Sequence, residues 1–206
     1  MDSLSPIDLE IARTIVRLAR TGAVDAPELP AGLAEWDGRF TPDSKAASIE
    51  YAMRTAMQNQ APSMGALLLV LRDPARPPGA LNALRDAFSP PTSRARPWGS
   101  VGAIAVEHPL SPLRFGFLNG APLEGRGNEY TIHLQEPGFS QGFRAVWDTG
   151  NWDAGGIDIP NGESGEPGSG HYRDLAAAWR AGSLEALPFS TAAVARSTRA
   201  TLILTP

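Results

Sequence analysis

Residues 161–175 read NGESGEPGSGHYRDL, and the fold class turns on how they are read. As chemistry, Ser164, His171 and Asp174 offer a nucleophile, a base and an acid on the strand-to-helix turn of a serine hydrolase. That turn needs G-x-S-x-G, because two glycines must relieve a strained backbone, and here the fifth position is Glu166. The three residues also lie only seven and three positions apart, whereas a working triad is usually assembled from distant segments around a shared site. As structure, Gly162, Gly165, Pro167 and Gly168 supply turn chemistry, Ser169 fits a helix N-cap, and His171 and Asp174 fall in the first helical turn, where Asp complements the dipole. The stretch therefore reads as a turn and a helix start within an α+β chain.

Working outward, the helix at 171–181 is stopped by Gly182 and followed by Pro188-Phe189 and a last strand at Thr201-LILT. On the other side lie short β-branched or aromatic runs bounded by Gly, Pro and Asn: Val101-GAIAVEHP, Tyr130-TIHLQ, Phe143-RAVWDT and Gly156-IDIP. Such runs predict strands. The first half has helical grammar. Ser5-Pro6 places a cap and a proline at a helix start, and Ile7, Ile11, Ile15 and Leu18 form one apolar stripe ending near Gly22. Trp36-Asp37-Gly38 reads as a turn, and Thr41-Pro42 as a second cap, opening a helix of about 15 residues. Leu67 to Leu71 is a continuous apolar run read as helix, and Ala80 to Phe88 as a short helix between prolines. The expected division is a mainly helical 1–92 and a strand-rich 93–206, together forming one structural unit.

Composition narrows the functions. A net charge of −4, with no Lys/Arg run beyond a pair, builds no positive field for a phosphate backbone, so nucleic acid is not an expected partner. The absence of cysteine removes disulfides, thiolate metal sites and cysteine nucleophiles together. The N-terminus carries Asp2, Asp8 and Glu10 without an uninterrupted apolar core, so it does not read as a secretory signal, and as written the chain is expected in the cytoplasm. The longest apolar run, Gly65 to Leu71, falls far short of the ~20 residues of a membrane span. Gly (21) and Pro (19) make up roughly a fifth of the 206 residues, above the ordinary ~12%. They concentrate after residue 60, where a loop-rich architecture is expected.

Other candidate groups carry little. His108, His133 and His171 show no close pairing of the kind that marks metal sites, and no metal or cofactor is expected. His108 precedes Pro109 at a strand end and His133 lies in a strand, both suited to structural imidazoles. Glu124, Glu129, Asp148, Asp153 and Asp158 border strands, and nothing in their spacing selects a catalytic pair. Gly120-APLEGRGNE has three glycines but lacks the Lys-Ser/Thr ending of a phosphate loop.

Several segments, in order, resemble the C-terminal part of the β-subunit of the penicillin acylase family, the amidohydrolases that include penicillin G, cephalosporin and acyl-homoserine-lactone acylases. Leu33-AEWDG and Pro42-DSKAA resemble the family's Trp-Asp-Gly turn and Asp-Ser-x-Ala-Ala helix start. Trp98-GSVGAIAVEHPL looks like its W-G-x-x-H…H-P-L stretch, and Phe143-RAVWD like its F-R-x-V-x-D strand. Gly162-ESGEPGSGHYRD resembles its G-Q-S-G-x-P-x-S-P-H-Y-x-D signature, followed by a Trp-bearing helix and Leu187-Pro188-Phe189. The likeness runs over about residues 8 to 206.

The resemblance implies an αββα sandwich of the N-terminal-nucleophile hydrolases. It also implies a precursor that cleaves itself to expose a β-subunit serine, whose free amine acts as base. Backbone N–H groups and an asparagine would form the oxyanion hole. Both the serine and that asparagine lie upstream of anything this chain matches, so no catalytic residue is carried over, and Ser164 falls in a turn outside the machinery. The implied partners are the upstream portion, comprising the α-subunit and the N-terminal part of the β-subunit, and a small N-acyl amide substrate of β-lactam or acyl-homoserine-lactone type. Complete members are often periplasmic or secreted. The chain departs from the pattern at Gly102, where the family has His, at Glu163, where it has Gln, and over Gly127-NEYTIH, where it has Gly-Asp-x-x-Thr-Val-Asn. Two rival expectations stand beside this one: a catalytically silent, truncated homologue that folds or binds a partner, and a self-contained hydrolase using Ser164.

Overall fold

The computed structural model describes residues 2–22, 29–58, 63–73 and 95–204. The fold is α+β, with a helical region followed by a strand-rich one. It forms two compact units, the first comprising Met1–Ala105 and Pro122–Ser140, the second Val106–Ala121 and Gln141–Pro206.

In the first unit, α1 (Pro6–Arg20) starts where Ser5 and Pro6 place it, with Ser5 Oγ accepting from the Asp8 N–H at 3.3 Å. Ile11, Ile15 and Leu18 are buried along its stripe. The second helix, α2 (Lys45–Gln58), begins later than Thr41-Pro42 predicts. Ser44 is its cap, its Oγ accepting from Ala47 N–H at 3.1 Å. Residues 41–44 form a turn instead, closed by Ser44 N–H to Thr41 O at 3.0 Å, and the Pro42 and Ser44 carbonyls accept from Gly99 and Trp98. With the Pro42 carbonyl held by Gly99 and the Ser44 N–H by Thr41, residues 41–44 stay in a turn and the helix opens only after Ser44. Helix α3 (Met64–Arg72) is capped by Ser63, so the apolar run at 67–71 is helical as read. The expected helix at 80–88 lies outside the described residues.

Where α1, α2 and α3 meet, the core is completed by aromatics. Trp36 meets Phe40 edge-on at 5.2 Å between ring centroids, Phe40 meets Trp98 at 5.0 Å, and Tyr51 tilts against Trp98 at 5.0 Å. Trp98 is fully buried at the start of α4 (Trp98–Val101), and its indole N–H donates to Gly127 O at 2.8 Å. The Trp-Asp-Gly turn is present, with Gly38 at φ +83°.

The strand predicted at 101–109 is not formed. Val101 ends α4, where the Gly102 N–H returns to Trp98 O at 2.8 Å, and only Ile104 makes a single bridge, to Leu123. The strand predicted from Tyr130 shrinks to β1 (Gln135–Glu136), a two-residue arm paired with β2 (Phe139–Ser140). Upstream of it the backbone is claimed by Asn128, whose Oδ1 accepts from Tyr130 N–H at 2.9 Å while its own N–H donates to Thr131 Oγ1 at 2.8 Å. A side chain that satisfies the backbone locally removes the groups a ladder would need.

The second unit is built on a three-stranded antiparallel sheet, ordered β3 (Arg144–Val146), β4 (Gly156–Asp158), β5 (Glu185–Ala186). Arg144 stands opposite Asp158, and Ile157 opposite both Ala145 and Glu185. Helix α5 (Ala176–Ala181) buries Trp179 and ends at Gly182, φ +72°. It starts five residues later than predicted from His171, because residues 169–175 turn on their own hydrogen bonds. Helix α6 (Thr191–Ser197) is capped by Ser190. Ser190 is itself anchored: Asp153 accepts from its N–H and its hydroxyl, both at 2.7 Å, and from Phe189 N–H at 2.8 Å. Residues 201–204, expected as a strand, are exposed and form no ladder among the described residues.

Candidate functional site

The loop at 161–175 is a closed turn held by its own backbone. Leu175 N–H donates to Asn161 O at 2.8 Å and Ser164 N–H to His171 O at 3.1 Å. Gly162 lets the two arms touch, since a Cβ there would overlap the His171 carbonyl oxygen and lie 2.6 Å from Asp174 Oδ1. The base and the acid do meet: His171 Nδ1 and Asp174 Oδ2 are 2.8 Å apart, both side chains exposed. The imidazole beside it holds the Asp174 carboxyl below its usual range. Ser164 Oγ is spent locally, accepting from the Glu166 N–H at 3.1 Å. Ser169 Oγ accepts from the His171 N–H at 3.1 Å, which is turn capping rather than helix capping. A hydroxyl committed to a turn, beside a solvated His–Asp pair, is poorly placed for general-base activation.

The other histidines are in structural places. His108 Nδ1 accepts from Leu110 N–H at 3.1 Å, and His133 is buried with its carbonyl accepting from Thr131 Oγ1 at 2.7 Å. Of the acids, Asp148 caps a turn through Gly150 and Asn151, Asp153 anchors α6, and Glu124 is exposed. Asp158 is buried, and burial raises its carboxyl above the usual range. Among the described residues no group of three His, Asp or Glu side chains could hold a metal ion, and no helix is long and apolar enough to cross a membrane.

The densest chemistry lies in the first unit and is absent from the sequence reading. Arg54 of α2 is 1% exposed, with Asp8 of α1 and Glu50 of α2 fully buried beside it. The Arg54 Nε lies 2.9 Å from Asp8 Oδ1, and its Nη1 donates to Glu129 Oε1 at 2.5 Å and to Gln58 Oε1 at 2.9 Å. The guanidinium sits 5.1 Å from the Tyr51 ring and 5.2 Å from the Tyr130 ring. Asp8 Oδ2 also accepts from Ser5 Oγ at 2.5 Å and Asn128 Nδ2 at 2.6 Å. Burial pushes both carboxyls up, Glu50 well up, with the charge of Asp8 adding to the effect; Arg54 pulls the other way. One cation thus serves several acids.

Asn128 suits this network, because its amide donates to Asp8. A carboxylate there would face a second, buried carboxylate across a hydrogen-bond distance.

Glu136 adds a pH response. Burial, and then the charge and hydrogen bond of Glu129, raise its carboxyl to about 7. A raised folded-state pKa gives stability that is full below the unfolded value near 4.5 and is lost as pH rises through about 7. Glu136→Gln is therefore expected to flatten the stability profile between pH 5 and pH 8, gaining on the parent at pH 8. Because the group is half-exposed, the gain is about 1 kcal/mol. Urea unfolding followed by tryptophan fluorescence at both pH values measures it; equal slopes for the two proteins would refute it.

The penicillin amidase family model matches residues 1–196. Penicillin acylase 2 proenzyme of Pseudomonas sp. (strain SE83) is 29% identical over 220 residues, covering 86% of this chain and 28% of the relative. The chain thus spans little more than a quarter of the length of that relative.

Proposed function

Because the chain belongs to the penicillin amidase family, we propose that it is the C-terminal part of the β-subunit of an amidohydrolase that cleaves the amide bond of N-acyl compounds. In this reading the nucleophile is a serine at the start of the β-subunit, in the portion of the enzyme that precedes this segment. Its free amine takes the hydroxyl proton as the oxygen attacks the amide carbonyl, the amine leaves with a proton, and water then releases the acid from the acyl-enzyme. This segment contributes strands and packing around the acyl pocket, and its own loop at 161–175 stays outside the chemistry. The observation that carries the reading is the family match over residues 1–196, in a chain covering 28% of its relative. The geometry agrees, since Ser164 Oγ is taken up by the Glu166 N–H.

Hydrolysis of a chromogenic phenylacetyl or aliphatic acyl anilide tests it. The expected result is no turnover by this chain alone, turnover once the upstream portion is present, and unchanged turnover in that assembly with Ser164→Ala. Turnover by the chain alone that Ser164→Ala abolishes would overturn the proposal. Absence of turnover in every assembly and with every acyl group tried would favour the catalytically silent homologue.

A further inference from the structure

Arg13, Arg17 and Arg20 stand at positions i, i+4 and i+7 of α1, on one face of the helix, and all three are exposed. Among the described residues none of them forms an ion pair. Glu10, one turn before Arg13, is engaged instead by Arg72 of α3 at 3.1 Å. Like charges three and four positions apart on a helix repel, so this face gains from an anion. The same three arginines border a groove of about 320 Å³, together with Val16, Thr21 and Ala34, at the lower end of small-molecule sites. Val16 belongs to the core side of α1 and is 7% exposed, which fixes the floor. The arginine stems extend that apolar surface while their charged heads stay in water. The helix C-terminus, whose partial charge of about −0.5 would oppose an anion, is closed off here. Thr21 Oγ1 donates to Arg17 O at 3.0 Å and Leu18 O at 3.1 Å, and the Gly22 N–H donates to Ala19 O at 3.1 Å.

We propose that this groove binds a small amphiphilic carboxylate of the alkanoate class, its head held by the guanidinium forks of Arg13, Arg17 and Arg20 and its chain laid on Val16 and Ala34. The head is a carboxylate because a planar fork matches its two acceptor oxygens. The chain is required because an inorganic anion would leave the apolar floor unused, and a neutral hydrocarbon would leave three charges unbalanced. The site lies within the first unit and does not depend on the amidohydrolase proposal.

Titration of the isotope-labelled full chain with octanoate at neutral pH and low salt, followed by amide NMR shifts, tests it. Saturable shifts are expected at residues 13–21 and at Ala34. Acetate is expected to bind about tenfold more weakly or worse, because it lacks the buried methylenes, and n-octylammonium is expected to leave these amides unmoved. The double variant Arg13→Gln/Arg17→Gln, altered only at exposed positions, is expected to bind octanoate about tenfold more weakly. Ala34→Glu, which places a carboxylate in the groove, is expected to block binding. Absence of shifts at these residues, or an unchanged affinity in either variant, would overturn the proposal. Acetate or inorganic phosphate binding as tightly as octanoate would also overturn it, in favour of a purely electrostatic face. A hexaglutamate peptide moving the same amides at lower concentration than octanoate would overturn it in favour of an acidic polypeptide segment.

Discussion

Arg54→Met is expected to cost the first unit about 3–5 kcal/mol, the usual consequence of removing one partner from a buried ionic network. The guanidinium is the cation shared by Asp8, Glu50 and Glu129, and the first two are fully buried. Methionine fills much of the volume but leaves carboxyls facing one another in a site where burial already raises their pKa values. Their pKa values then rise further in the folded state. The deficit is therefore largest at neutral and alkaline pH and shrinks as the pH falls and the acids take up protons. Replacing the whole buried set, Asp8→Asn/Glu50→Gln/Arg54→Met, should recover most of the loss, because neutral groups of similar shape need no counter-ion. Urea midpoints at pH 5 and pH 8 decide this. A loss under 1 kcal/mol at pH 8, or a triple variant no better than the single one, would show that the network is not what holds α1 to α2.

Gly127→Ala is expected to be as damaging, for a steric reason. Gly127 has φ +71°, and a Cβ there would overlap the His133 carbonyl oxygen and crowd Thr131 Oγ1. The same residue donates to Phe40 O at 2.8 Å and accepts the Trp98 indole N–H at 2.8 Å. It therefore cannot move without opening the aromatic core. The left-handed conformation alone costs about 1–2 kcal/mol for alanine, and the forced displacement brings the total to about 4 kcal/mol or more. Gly138→Ala supplies the comparison, because Gly138 also has positive φ (+79°) but an added Cβ meets nothing within 4 Å. Only the conformational cost, about 1–2 kcal/mol, should appear there. Equal losses in the two variants, measured by thermal unfolding, would refute the steric account.

Features written in local chemistry were legible in the sequence, and features depending on distant partners were not. Ser5-Pro6 and the Ile11, Ile15, Leu18 stripe marked α1, and the Trp-Asp-Gly turn announced Gly38, because caps, stripes and positive φ are properties of adjacent residues. The start of α2 was misread because Thr41 and Ser44 are both good caps, and the choice fell to the turn at 41–44, whose Pro42 carbonyl is claimed by Gly99, more than fifty positions away. Strands at 101–109 and 130–135 were overcalled because β-branched runs predict a strand only if a partner presents its edge, while Gly102 and Asn128 turned those backbones elsewhere. The Arg54 network was invisible for a related reason. Asp8 in the first turn of α1 reads as a dipole complement, and Glu50 with Arg54 as a surface i,i+4 pair. One signal was available: Asp8 lies three residues before Ile11 and so falls within the arc of the buried stripe. The loop at 161–175 was read correctly as a turn, but the helix start placed at His171 failed, because residues 169–175 close on their own hydrogen bonds and the helix opens only at Ala176.

That this segment serves an amidohydrolase whose nucleophile lies elsewhere can be tested by treating the assembly of this segment with its upstream portion with phenylmethanesulfonyl fluoride and mapping the adduct by peptide mass spectrometry. The expected result is a sulfonyl adduct on a serine at the start of the β-subunit, loss of amide hydrolysis in step with it, and none on residues 161–175. An adduct on Ser164 that tracks the loss of activity would contradict it.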